Sequence, residues 1–145
     1  MGALTPEVRE WLSAHHKAIL ITLRSDGSPQ SSNVSTAFDG TVFRVSVTAN
    51  RAKTRNLLRD PRATMHVLGT DFWAYASVAC TAQVGPVSRE PGDQSGQDLL
   101  ALYNTISKKP HPDPNEFMQA MVDEHRLMLT LHPKSVAGSG WQRAI

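Results

Sequence analysis

Cysteine is almost absent from this chain of 145 residues. Cys80 is the only one, so no disulfide can close within the chain and a reducing compartment is the simplest setting. Its neighbours in VACTAQV are small or apolar, the surroundings of an inert core thiol rather than of a nucleophile. Long apolar runs are missing too: nothing approaches the roughly 18 residues that span a bilayer as a helix. The opening MGALTPEVREWL lacks the charged-then-apolar layout of a signal peptide, and Pro6 stands where a myristoylation motif needs Ser or Thr. A cytoplasmic protein with no membrane partner is expected. Charge of one sign is scarce as well, with 15 Lys and Arg against 13 Asp and Glu for a formal +2. That balance, without aromatic RNA-binding signatures, argues against a nucleic-acid partner. Repeats and low-complexity tracts are absent.

No histidine shows metal-ligand spacing, and no structural metal is expected. His15 and His16 end a helix, His111 lies in a Pro-rich loop, and His66 and His132 read as structural residues on or beside strands.

What is present is the composition of a globular protein, 40% apolar and 19% charged, at a length that fits one domain over residues 1–145. Thr5 as N-cap, Pro6 at the first helical position, then Val8, Trp11 and Leu12 predict a short amphipathic helix ending near His16 that plugs one end of the fold. The period then changes. AILITLR (18–24), a turn at Asp26-Gly27, QSSNVSTAF (30–38), a turn at Asp39-Gly40 and TVFRVSVT (41–48) predict a meander. In the last of these, Val42, Arg44, Ser46 and Thr48 face one way and Phe43, Val45 and Val47 the other. ATMHVL (63–68), WAYASVACTAQVGPV (73–87) and RLMLTLH (126–132) bring the count to about six strands. Helices are expected around DLLALYNTI and NEFMQAMVDEH, separated by the proline-rich KKPHPDP. Runs of strands interrupted by a few helices favour a small antiparallel barrel, mainly β, with helices packed outside.

Against the near-neutral background, residues 51–62 (RAKTRNLLRDPR) carry five cations and one carboxylate. Read as a helix from about Arg51, they place Arg51, Arg55, Arg59 and roughly Arg62 on one stripe and Leu57 and Leu58 on an apolar side. A solvated face, a nucleic-acid contact and a phosphate site all fit such a segment. For the phosphate, Asn50 is a candidate N-cap, the first-turn amides point outward, Arg51 and Lys53 flank them, and Thr54 adds a hydroxyl.

The meander, SDGSPQSSNV and RAKTRNLLRDPRA together resemble the pyridoxamine 5′-phosphate oxidase-like split β-barrel flavoproteins, and within them the actinobacterial flavin/deazaflavin oxidoreductases. FWAYASVACTAQV resembles a further strand of that group, with Cys80 where a glycine stands. The resemblance implies an antiparallel split β-barrel with flanking helices, assembled as a homodimer with the cofactor in the groove between subunits. It implies a phosphate site at Arg51, Lys53, Thr54 and the Ala52 backbone. Gln30, Ser32, Asn33 and Ser46 would line the ring and ribityl chain, and Trp73 and Tyr75 would come from the second subunit. F420 is the cofactor implied, with FMN the alternative; Arg55 and Arg59 would meet the anionic F420 tail. The implied reaction is hydride transfer from reduced deazaflavin to a small conjugated molecule, with an FMN enzyme or a non-catalytic carrier as the other readings. No catalytic acid or base stands out: Tyr75 could give a proton or merely pack against the ring. KSVAGSGWQRAI lacks the substrate-gripping arginine pattern of true pyridoxamine phosphate oxidases.

Overall fold

The structure is a computed structural model that describes residues 2–141. Period-two alternation sets its framework. In β1 (Lys17–Leu23) Ala18, Leu20 and Thr22 are buried, and in β4 (Phe43–Thr48) Phe43, Val45 and Val47 are, while the residues between them stay partly open. The same pattern runs through β5 (Arg62–Leu68), β6 (Tyr75–Val84) and the first half of β7 (Arg126–Ser139). With β2 (Pro29–Ser35) and β3 (Ala37–Phe38) they form one antiparallel sheet in the order β2-β1-β5-β6-β7-β4-β3. Its inner face holds the core, with Leu20, Phe43, Met65, Val67, Val78, Leu129 and Leu131 all without exposed surface. Each such side chain is worth about 1.5–3 kcal/mol on burial.

The two edge strands are consecutive in sequence, and the single residue between them curls the sheet. Thr36 is fully buried; its amide donates to the His16 carbonyl at 2.8 Å and its hydroxyl to the Arg44 carbonyl at 3.0 Å, joining the β1 side of the sheet to β4. The expected strand over 30–38 is therefore two strands, and the sheet has seven rather than six. Helix α1 (Pro6–Ala14), capped by Thr5, turns Val8, Trp11 and Leu12 into the core, as its spacing predicts. Both Asp-Gly turns form, with Gly27 and Gly40 at φ of 85° and 96°, a conformation that favours glycine.

Helix α2 (Ala52–Arg59) links β4 to β5, and α3 (Gln94–Ser107) and α4 (Pro114–Asp123) lie between β6 and β7 in sequence. The latter two pack on each other and on β7, with α3 also against β4. Three boundaries depart from expectation. β6 starts at Tyr75, because Asp71 takes the Trp73 amide and turns the chain there. β7 runs on past Pro133, whose missing N–H is accommodated at a register shift beside Ala79 and Cys80. Val42 is buried and so does not share the face of Arg44, Ser46 and Thr48, because it precedes β4 in the Asp39 turn, where its amide donates to the Asp39 carboxylate.

Candidate functional site

A cavity of about 570 Å³ opens between the outer face of the sheet and the α3–α4 pair, within the size range of small-molecule pockets. Register explains its sheet wall. Inward Leu127 and Leu129 leave Arg126 and Met128 outward, and pairing sets Arg126 opposite Thr48 and Met128 opposite Ser46. Thr48, Ser46 and Arg126 line the cavity, joined by Asn33 and Ser35 from the outer face of β2. Leu99, Leu102, Tyr103 and Ile106 of α3, with Phe117 and Met121 of α4, form the opposite, apolar wall. Arg51 and Lys53 complete it at the start of α2.

The lining is +3 in formal charge and includes no carboxylate. Among the described residues, Arg126 alone of the three cations has an ion pair, to Glu124 at 3.0 Å. Burial, then the charges of Arg51 and Arg126, lower the pKa of Lys53. The helix start adds oriented donors, since Thr54 and Arg55 donate their amides to the Arg51 carbonyl while those of Ala52 and Lys53 meet no acceptor among the described residues. The residue at N-cap is Arg51, not Asn50, and it offers no side-chain cap bond. Asn50 stays outside because the Arg51 amide closes a turn onto Thr48 at 3.2 Å and sets the helix start one residue later. An open N-terminus ringed by cations offers the donor set that an anion needs, and a phosphate fits it.

The structure thus gathers Asn33, Ser46, Arg51, Lys53 and the Ala52 amide, and separates the other expected residues from them. Thr54 is buried, its hydroxyl donating to the Thr48 carbonyl at 2.9 Å, so it seats α2 on β4 instead of meeting a phosphate. Gln30 accepts from Asn56 at 2.8 Å, and Asn56 also donates to Thr22 at 3.1 Å, a polar cluster that pins α2 to β1 and β2. Ser32 pairs with buried Leu20 on the inner face, and its neighbour Asn33 projects outward as alternation requires. Arg59 joins the polar cluster, donating to Asn56 and to the Leu23 carbonyl, and Arg55 donates to the Asn50 carbonyl. Arg62 is not on the helix at all: the chain leaves α2 at Asp60-Pro61, and Arg62 pairs with Asp60 at 2.7 Å on β5. Leu57 is buried but Leu58 is 68% exposed, so the apolar side of α2 is one residue wide.

Trp73 and Tyr75 are elsewhere in the chain. Trp73 is 73% exposed beside Phe72, lining a separate hollow with Trp11 and His15, and Tyr75 stacks on His66 at 5.0 Å. Burial pushes the Cys80 thiol up to about 12, in keeping with an inert core residue. Residues 142–145 of KSVAGSGWQRAI lie outside the described residues. Sequence reasoning missed Arg126 and the helical wall; the alternation of RLMLTL exposed Arg126, but only the pairing of β4 with β7 carries it to Lys53.

The same framework recurs in known proteins. The family model described as pyridoxamine 5′-phosphate oxidase matches residues 4–136. A solved F420 reductase superposes with a TM-score of 0.68 at 27% identity, covering 92% of this chain and 98% of that one. The heme storage protein HutZ from Vibrio cholerae superposes at 0.64 with 15% identity, over 97% and 96% of the two chains. A pyridoxamine 5′-phosphate oxidase-related, FMN binding protein from Nostoc punctiforme does so at 0.55 with 17% identity, over 86% and 74%. At those last two identities only the fold is shared. Since the family model runs from before the first helix into the last strand and takes in every element that frames the cavity, the chain belongs to the pyridoxamine 5′-phosphate oxidase family.

Proposed function

We propose that this protein is an oxidoreductase that holds the phosphate of F420 at the open end of α2 and passes hydride to a small conjugated organic substrate. The observation that carries the reading is the pair Arg51 and Lys53, which have no acidic partner among the described residues, facing a carboxylate-free cavity at a helix start whose first two amides meet no acceptor among those residues. The F420 reductase neighbour, alike over nearly the whole of both chains, supports the choice of cofactor. F420, when bound, supplies the hydride chemistry. The chain's own part is to bind and orient: Arg51 in a fork and Lys53 as a point charge fix the phosphate, while Asn33 and Ser46 offer polar contacts along the sheet wall. The apolar wall excludes water from the reacting end.

The protein is read as one split-barrel unit, cytoplasmic, acting as a homodimer in which Trp73 and Tyr75 of a second copy close the groove. The exposure of Phe72 and Trp73 supports this arrangement. Among the described residues no helix is long and apolar enough to cross a membrane.

FMN is the second reading, and one observation favours it. Arg55 and Arg59, the cations that would have met the F420 tail, are already bonded to the chain's own carbonyls. Titration of the purified protein with each cofactor, followed by calorimetry, separates the two. Tighter binding of F420, with protein-dependent oxidation of the reduced cofactor by a conjugated carbonyl compound, is the expected result. Binding of FMN alone moves the second reading to first place, and binding without any turnover leaves a carrier.

A further inference from the structure

Once a phosphate takes Arg51, Lys53 and the α2 amides, one cation in the cavity has no assigned ligand. Arg126 enters from β7, three residues beyond the end of α4, next to the wall built by Phe117 and Met121. Its Glu124 partner lies outside the lining and has a side chain 48% exposed, so solvent screens that pair. Arg126 itself is partly covered, and its charge reaches Lys53 strongly enough to be felt there. The opposite wall brings Leu99, Leu102, Tyr103, Ile106, Phe117 and Met121 together without an acidic group. Tyr103, Phe117 and His111 brace one another with ring centroids 4.9–5.5 Å apart, which stiffens that wall.

We infer that Arg126 and the α3–α4 wall form a substrate subsite for a flat, apolar molecule carrying a carboxylate or sulfonate, separate from the phosphate mouth. The inference rests on the phosphate reading above only for where the phosphate sits. Cationic substrates are rejected, because three positive charges line the cavity and none is negative. Neutral aromatics bind the wall without gaining the charge-assisted bond to the guanidinium.

The test uses the cofactor-free full chain and two fluorescent probes of similar shape, anilinonaphthalene sulfonate and its neutral analogue N-phenylnaphthylamine. The sulfonate should bind at least about tenfold more tightly, the size of one charge-assisted bond. Arg126→Gln should erase that preference and Arg126→Lys should keep part of it. Arg55→Gln, which removes an equal charge outside the lining, should change neither. Ile106→Trp should fill the wall and weaken both probes. Millimolar inorganic phosphate, against chloride at equal ionic strength, should leave the sulfonate bound. Complete displacement by phosphate would overturn the inference, since the sulfonate would then sit in the phosphate mouth. Sulfonate binding that survives both Arg126→Gln and Ile106→Trp would overturn it too, by placing the dye on another surface such as Phe72 and Trp73. A protein that passes these tests but binds neither F420 nor FMN keeps the subsite and loses the cofactor reading.

Discussion

Lys53 shows how a candidate binding residue can burden the fold that carries it. Partial burial and the neighbouring charges of Arg51 and Arg126 disfavour its protonated form, so the folded state holds that proton less tightly than the unfolded chain does. The sign follows: Lys53 is a cost at neutral pH, relieved as pH rises toward the ordinary lysine range. Lys53→Ala should therefore melt no lower than the parent in phosphate-free buffer. Its affinity for the phosphorylated cofactor should nevertheless fall roughly 10- to 150-fold, from a charge-assisted bond of about 1.5–3 kcal/mol. Thermal melts and titration of the same samples check both halves; a drop in melting temperature without loss of affinity would make Lys53 structural. At this scale the cation cluster beside a helix start was legible, but spacing alone fits a solvated face as well as an anion site. Thr54, Gln30 and Arg59 were not, because a hydroxyl, amide or guanidinium looks the same in sequence whether it meets a ligand or a backbone carbonyl.

The elements that bear the site depend on caps, and the cap of α3 makes its wall acid-sensitive. The Asp93 carboxylate accepts from the amides of Arg89, Gly96 and Glu90 and from the Ser88 hydroxyl, which together hold its pKa at about 2. Its contribution is full above the ordinary carboxylate range and is lost as pH falls through about 4 toward 2. Asp39 and Asp60 are also held at about 2, Asp39 against its own burial by the Val42 amide and Arg44, and Asp60 by Arg62, so acid weakens three turns together. Asp93→Asn keeps a capping oxygen but removes one titration, and its stability should fall less steeply between pH 4 and 2. Denaturant melts at stepped pH check this; parallel curves for variant and parent would remove Asp93 from the account. Strand positions were legible from alternation. The break at Thr36 and the continuation past Pro133 were not, since both are set by which strand lies alongside.

At the scale of the molecule, one chain supplies a cationic mouth and an apolar wall but brings no tryptophan to the cavity: Trp11, Trp73 and Trp141 all lie off its lining. If a second copy completes the groove through Trp73, cofactor binding should quench tryptophan emission. Trp73→Phe should abolish that quenching while affinity changes little. Quenching that persists in Trp73→Phe would assign another residue to the groove. The order of strands has a different consequence. β6 and β7 pair directly with each other, yet the chain runs through α3 and α4 between them, so the helical wall is a detour within a two-strand unit that is already complete. The cation cluster hangs instead from β4, α2 and the first residue of β7. Evolution, or an engineer, can therefore exchange residues 94–123 as a cassette and present a new face to the cavity while the cation cluster keeps its supports.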